Sequence, residues 1–174
     1  MIWTDSTNAW IRGTNLPSPI PDGGVNLGHS NDAVTIDPLT GDFYFALGRD
    51  IRDTVLGGAG HTLYRFTQAT QTWETFDNPG EFTPGVCCTA AAWWPGLGAS
   101  GSIIIWEGGT GKLFRWDKAT NAWSLFANPG TGGATWMALE YNPVQNVMYG
   151  IHGSAANTFI KIQSNGTLTS LSTP

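Results

Sequence analysis

The chain has 174 residues, with Lys+Arg 8 against Asp+Glu 13 and a formal net charge of −5. That length suffices for one domain with a proper core. The acidic balance argues against a nucleic-acid partner, which calls for a basic face, and no apolar run is long enough to span a bilayer as a helix.

The chain opens on Trp3-Thr4-Asp5-Ser6-Thr7-Asn8-Ala9-Trp10, which reads as a hairpin of two short strands. A small apolar strand follows at Ala33 to Ile36, then Asp37-Pro38, a turn at Leu39-Thr40-Gly41 and a second apolar run from Phe43 to Leu47. Arg49 to Gly60 is a charged insertion holding Arg49-Asp50 and Arg52-Asp53, ending in a glycine-rich tail. From Leu63 the chain alternates, with Leu63 and Arg65 on one side and Tyr64 and Phe66 on the other, as a half-buried strand does. Ala69-Thr70-Gln71 reads as a hairpin turn into a fourth strand around Trp73.

The same order then returns. Leu63 to Gly80 reappears as Leu113 to Gly130, fifty positions on at Trp73 and Trp123, and Asn-Pro-Gly closes both copies. Ile36-Asp37-Pro38, Trp93-Trp94-Pro95 and Tyr141-Asn142-Pro143 are equivalent, and a glycine stands ten residues before each proline, at Gly28, Gly85 and Gly133. Ala90 to Trp93 and Met137 to Tyr141 match Ala33 to Ile36, with the small apolar character of strands buried on both faces. Second strands follow at Ile103 to Trp106 and Val147 to Ile151, rich in residues that fit a pleated surface. The last copy continues with Phe159 to Ile162, a turn at Ser164-Asn165-Gly166 and Leu168 to Leu171. Asn165-Gly166-Thr167 matches a glycosylation acceptor but reads better as that turn. The N-terminal hairpin aligns with Trp116 to Trp123, so it is the outer half of a unit without its two inner strands. A repeat of this period signals a solenoid, propeller or array.

The segment Ile103-Ile104-Ile105-Trp106-Glu107-Gly108-Gly109, followed by Trp116 and Trp123, resembles a kelch repeat: an apolar strand, a Gly-Gly pair, then an aromatic and a Trp separated by six residues. Trp3/Trp10 and Phe66/Trp73 keep that separation. The first unit departs from the pattern with Gly48-Arg49 at the glycine pair, and the third with His152-Gly153 and no Trp in its fourth strand. The resemblance implies an all-β fold of kelch-like β-propeller blades, four strands each, around a central channel. It divides the chain as a single repeat domain over 1–174: a half blade over 1–24 and blades over 25–84, 85–132 and 133–174. It implies no particular chemistry, since propellers host enzymes, lectins and scaffolds alike.

Three blades and a half are few for closure. An open arc exposes apolar faces larger than a soluble monomer normally carries. The expectation is a chain that associates with itself, docks on a larger protein assembly, or is part of something longer. Unpaired edges of the N-terminal hairpin favour association, which makes Trp3 and Trp10 candidate partner-binding residues. So are Arg49, Asp50, Arg52 and Asp53, since a long insertion in a repeat array lies on its binding face.

The segment ahead of each inner strand differs between units: His29-Ser30-Asn31-Asp32, Val86-Cys87-Cys88-Thr89 and Ala134-Thr135-Trp136-Met137. Variable residues on a repeated scaffold are where function sits, so His29, Asn31 and Asp32 are candidate ligand contacts. The alternative is a turn cap. Trp10, Trp73 and Trp123 recur and read as packing between units. Trp93, Trp94, Trp106 and Trp136 do not recur in every copy; core or subunit packing is the first explanation for all four, and Trp93, Trp106 and Trp136 are also candidates to stack on a sugar face. Glycans are therefore a possible ligand.

Catalysis finds little support, and the expectation is no enzyme and no cofactor. His29, His61 and His152 lack ligand spacing, so no metal site is expected. Glu107 and Glu140 could be imagined as an acid pair, but nothing fixes their separation. There is no Ser-x-Asp-x-Gly-x-x-Trp box, no Gly-x-Ser-x-Gly elbow and no phosphate loop. Cys87 and Cys88 are adjacent and make no disulfide framework; they read as small residues entering an inner strand. No signal peptide is visible, so a virion or the cytoplasm is expected ahead of classical secretion. The reading is a non-enzymatic binding and assembly module, of a virion (phage) structural or accessory protein; the alternative is a lectin-like propeller.

Overall fold

The computed structural model describes residues 2–4, 9–11, 33–46, 63–76, 89–108, 110–130, 136–153 and 158–172. Among the described residues every regular element is a strand. β1 (Ile2–Thr4) and β2 (Ala9–Ile11) form an antiparallel hairpin with Trp3 opposite Trp10. Three four-stranded antiparallel sheets follow, each a meander of four consecutive strands. The first holds β3 (Val34–Ile36), β4 (Phe43–Ala46), β5 (Leu63–Thr67) and β6 (Thr72–Phe76). The second holds β7 (Ala90–Trp94), β8 (Ser102–Trp106), β9 (Leu113–Asp117) and β10 (Ala122–Ala127). The third holds β11 (Trp136–Asn142), β12 (Val147–Gly153), β13 (Thr158–Ile162) and β14 (Leu168–Leu171). The expected strands are present in all three units, within a residue or two at their ends.

The hairpin turns explain why the chain reverses where it does. Gln71 and Asn121 close the β5–β6 and β9–β10 turns with φ of 57° and 53°. Asn tolerates this left-handed conformation well. Gln71 is less suited, and its side-chain amide donates to the Gln68 carbonyl at 2.7 Å. In the second sheet Asp117 Oδ1 accepts from the backbone N–H groups of Ala119 and Thr120 at 3.0 and 3.1 Å, fixing the turn from its first residue. The β7–β8 turn needs Gly101, at φ +83°, because a Cβ there would run into the Trp93 ring.

The sheets stack in chain order. β7 lies beside β3 on one side and β11 on the other. Two apolar seams result. Ala33, Tyr44, Ala46 and Leu63 of the first sheet meet Trp93 and Trp116 of the second. On the opposite face of the second sheet, Trp94, Ile104, Trp106 and Leu113 meet Met148 and Ile160 of the third. Each large apolar side chain fully buried in a seam contributes about 1.5–3 kcal/mol over its exposed state. Gly150 lets the second seam close: a Cβ there would stand 2.6 Å from Cζ3 of Trp106.

The inner strands differ from the expectation of burial on both faces. β7 is buried along its whole length. β3 leaves Val34 and Ile36 exposed, and β11 leaves Ala138 and Glu140 exposed. The second sheet has a neighbouring sheet on each side; the first and third each have one among the described residues.

Candidate functional site

β3, β7 and β11 together line an open groove of about 590 Å³. Its walls are repeat-equivalent: Val34-Thr35-Ile36, Ala91-Ala92-Trp93 and Leu139-Glu140-Tyr141, each followed two residues on by Pro38, Pro95 and Pro143. Among the residues that line it, Glu140 is the charged one. The wall is tied across the first seam by the Trp93 backbone N–H, which donates to the Thr35 hydroxyl at 2.9 Å. Across the second seam Asn146 Oδ1 accepts from Trp94 Nε1 at 2.9 Å and from the Tyr141 hydroxyl at 3.1 Å. The groove offers apolar wall, aromatic edges and one carboxylate. It offers no nucleophile held by a base and no pair of acids.

A polar knot locks the mouth of the first seam. Lys118, in the β9–β10 turn, reaches the β3–β4 turn and places Nζ 2.7 Å from Asp37 Oδ2 and 3.2 Å from Asp42 Oδ2. The same ammonium donates to Thr40 Oγ1 at 3.2 Å and sits 5.6 Å from the Trp93 ring centroid. Asp37 and Asp42 are both buried. Burial alone would push the Asp37 carboxyl up; the Lys118 ammonium, the Leu39 N–H and the Thr40 hydroxyl outweigh it and hold the group below its ordinary value. Burial would pull the Lys118 ammonium down, and Asp37 with Tyr44 and Asp42 turns the net shift upward. Such a knot stabilises little over an apolar replacement but penalises loss of one partner, because a buried charge is then stranded.

The candidate residues fall in several places. Trp93 is 5% exposed and stacks on Tyr44, with ring centroids 5.5 Å apart. Trp106 is fully buried in the second seam, its ring 5.4 Å from that of His152 and its Nε1 donating to the Gly111 carbonyl at 2.9 Å. Neither ring face is open to solvent. Trp136 begins β11 and Trp3 and Trp10 pair in the N-terminal hairpin, described here by their strands alone. His29, Asn31, Asp32, Arg49, Asp50, Arg52 and Asp53 lie outside the described residues, as do Cys87 and Cys88. Glu107 is buried beside β8, where its carboxylate accepts from the Thr110 N–H at 2.8 Å and from the Thr110 hydroxyl, whereas Glu140 stands exposed in the groove. The recurring Trp73 and Trp123 are half-buried, while the unrepeated Trp94 and Trp106 fill the second seam completely.

Residues that the sequence did not single out are Asp37, Asp42 and Lys118, and the exposed Val34, Ile36 and Ile151. Aligning the units groups the last three with apolar residues of the other units, but the sequence does not tell which copy is covered. Among the described residues no three His, Cys, Asp or Glu side chains are grouped to hold a metal, and no helix is long and apolar enough to cross a membrane. No family model matches the chain, and no curated protein matches it.

Proposed function

We propose that the chain is a binding and assembly module: three kelch-like propeller blades in an open arc, acting as a structural or accessory part of a larger particle such as a virion. The observation that carries this reading is the unequal treatment of repeat-equivalent faces. Both faces of the second sheet are packed against neighbours, while the outer face of the third sheet leaves Ile151 55% exposed. Repeat units of this kind bury their apolar faces only against one another, so the exposed face of the third sheet is fit to be covered by another such surface.

A second reading, capture of a glycan, rests on the groove, where Trp93 and Tyr141 edges and the Glu140 carboxylate are within reach of a sugar. Light scattering on the purified chain, paired with a glycan microarray, separates the two. Assembly expects a species heavier than 18.6 kDa, or a stable complex with another protein, with no sugar present. A monodisperse 18.6 kDa species that melts sharply and binds defined glycans selects the second reading.

A further inference from the structure

Two rungs run across each sheet at matched register, and they show what the open end is built to receive. In the first sheet one rung is Ala33, Ala46, Leu63 and Phe76. In the second it is Ala90, Trp106 and Leu113, ending at the Phe126 bulge. In the third it is Ala138, Ile151, Phe159 and Leu171. The neighbouring rung is Thr35, Tyr44, Arg65 and Glu74 in the first sheet and Glu140, Tyr149, Lys161 and Thr169 in the third. Several positions match in character: alanine begins the first rung in every sheet, an apolar residue continues it, and the second rung has tyrosine on the second strand and a cation on the third in the first and third sheets.

In the first and second sheets the apolar rung is packed against the next sheet. In the third sheet Ala138 and Ile151 are exposed, and Phe159 and Leu171 are half-exposed. The third sheet therefore carries the face by which the other two each receive a following sheet. Of the surface such a face receives, the described residues of the first sheet leave open only the inner-strand edge; Phe45 and Phe66, in the places of Ile105 and Trp116, are already buried. In the first seam Trp93 lies over Tyr44 and gives its backbone N–H to Thr35. The position of Trp93 is occupied in the first sheet by Ile36, which is 56% exposed, next to Val34 at 39%. Asp37 N–H donates inward to the Asp42 carbonyl at 2.9 Å, so the alternation of an antiparallel ladder turns the Ile36 N–H to the open edge. Glu140, in the place of Thr35, offers that N–H a carboxylate acceptor.

Resting on the assembly reading above, we propose that the outer face of the third sheet docks a second copy of this chain. That copy presents the Val34–Ile36 edge of its first sheet, so that copies join head to tail. The two surfaces differ, which makes the contact heterologous and lets it close into a ring or continue as a filament. The charge knot of the first seam is not needed in the new one. Lys118 is matched by Gln68 on the incoming sheet, and Asp37 and Asp42 by Asn142 and Val147 on the receiving one, so none of the charges of that knot recurs in the new seam.

The test uses two variants at exposed positions, Ile36→Glu and Ile151→Glu, each in the full chain, with sedimentation velocity as the readout and a thermal melt to show that each stays folded. The parent is expected to sediment as an oligomer. Each variant alone should be a monomer, because each copy keeps one good surface and loses its complement. Mixed in equal amounts, the two should give a 1:1 complex of twice the 18.6 kDa protomer mass and nothing larger. A parent oligomer that survives either substitution, or a mixture that stays monomeric, overturns the head-to-tail contact and leaves the assembly reading to another surface. A monomeric parent overturns the self-docking as well, and the assembly reading then stands or falls on complex formation with a different protein.

Discussion

Trp106 and Ile151 occupy the same place in successive units, opposite Ala90 and Ala138 on their inner strands. Trp106 is wholly buried and Ile151 is 55% exposed. The local sequences are alike: both stand in apolar second strands of a four-stranded meander. What differs is the neighbour. Burial in this molecule is a property of position in the stack, not of the strand, and a residue type says only that a face is fit to be covered.

That contrast can be broken hardest at the tryptophan. Trp106→Ala should cost about 3–5 kcal/mol, the usual range for truncating a buried aromatic, read as a lowered midpoint in chemical denaturation. A midpoint close to the parent's would mean that the second seam is not part of the core.

The two seams can be separated at Lys118. Lys118→Met strands Asp37 and Asp42 and should cost about 3 kcal/mol near neutral pH, toward the low end for breaking a buried pair. The pH dependence has a definite sign. Asp37 is held below its ordinary value, so its stabilisation is present above that value and is lost as pH falls through the lower folded one. The penalty of Lys118→Met should therefore shrink on acidification. At the alkaline end the raised Lys118 keeps its contribution until pH passes its folded value. A penalty that stays constant into the acid range would remove the knot from the stability of the first seam.

Gly150→Ala probes the tight approach of Trp106 from the other side. The added Cβ forces the indole or β12 to shift and should cost about 1–3 kcal/mol as overpacking. Its effect should largely vanish in a Trp106→Phe background, because the crowding atom belongs to the larger ring; equal costs in both backgrounds would place the strain elsewhere.

The smallest effect belongs to the exposed twin. Ile151→Ser should change protomer stability by no more than about 0.5 kcal/mol, as surface substitutions do. Measured at a dilution where copies do not meet, a loss comparable to that of Trp106→Ala would show that something already covers this face.

The strands were legible because each unit repeats much of the same residue logic: proline ending the inner strand, apolar second strands, alternating third strands, and in the first two units an Ala-Thr turn. Three features were not. Lys118 finds Asp37 and Asp42 across the first seam, 81 and 76 residues away in the chain, and no local pattern announces such a pair. The inner strands all look equally apolar, so the sequence does not reveal that Val34 and Ile36 are open while Ala91 and Trp93 are closed. The tryptophans mislead by recurrence: Trp73 and Trp123 repeat and are half-buried, because the fourth strand lies at the margin of its sheet, whereas Trp94 and Trp106 occur once and fill the space left by Gly150 and the small inner-strand alanines. Of the candidate site, the three prolines showed which inner-strand residues are equivalent but not that they line one groove; its one carboxylate, Glu140, was visible but had no partner in the spacing to give it a role.

The strand order within each sheet has a further consequence. Every described sheet is made of strands consecutive in the chain, joined without a crossover. Apart from the insertion between β4 and β5, loop closure within a sheet is therefore short, and pairing does not wait for distant sequence. A nascent chain that has left the ribosome through β10 already holds two whole sheets and the first seam with its Lys118 knot. The third sheet can then be laid down on a finished surface, each unit serving as the template for the one synthesised after it.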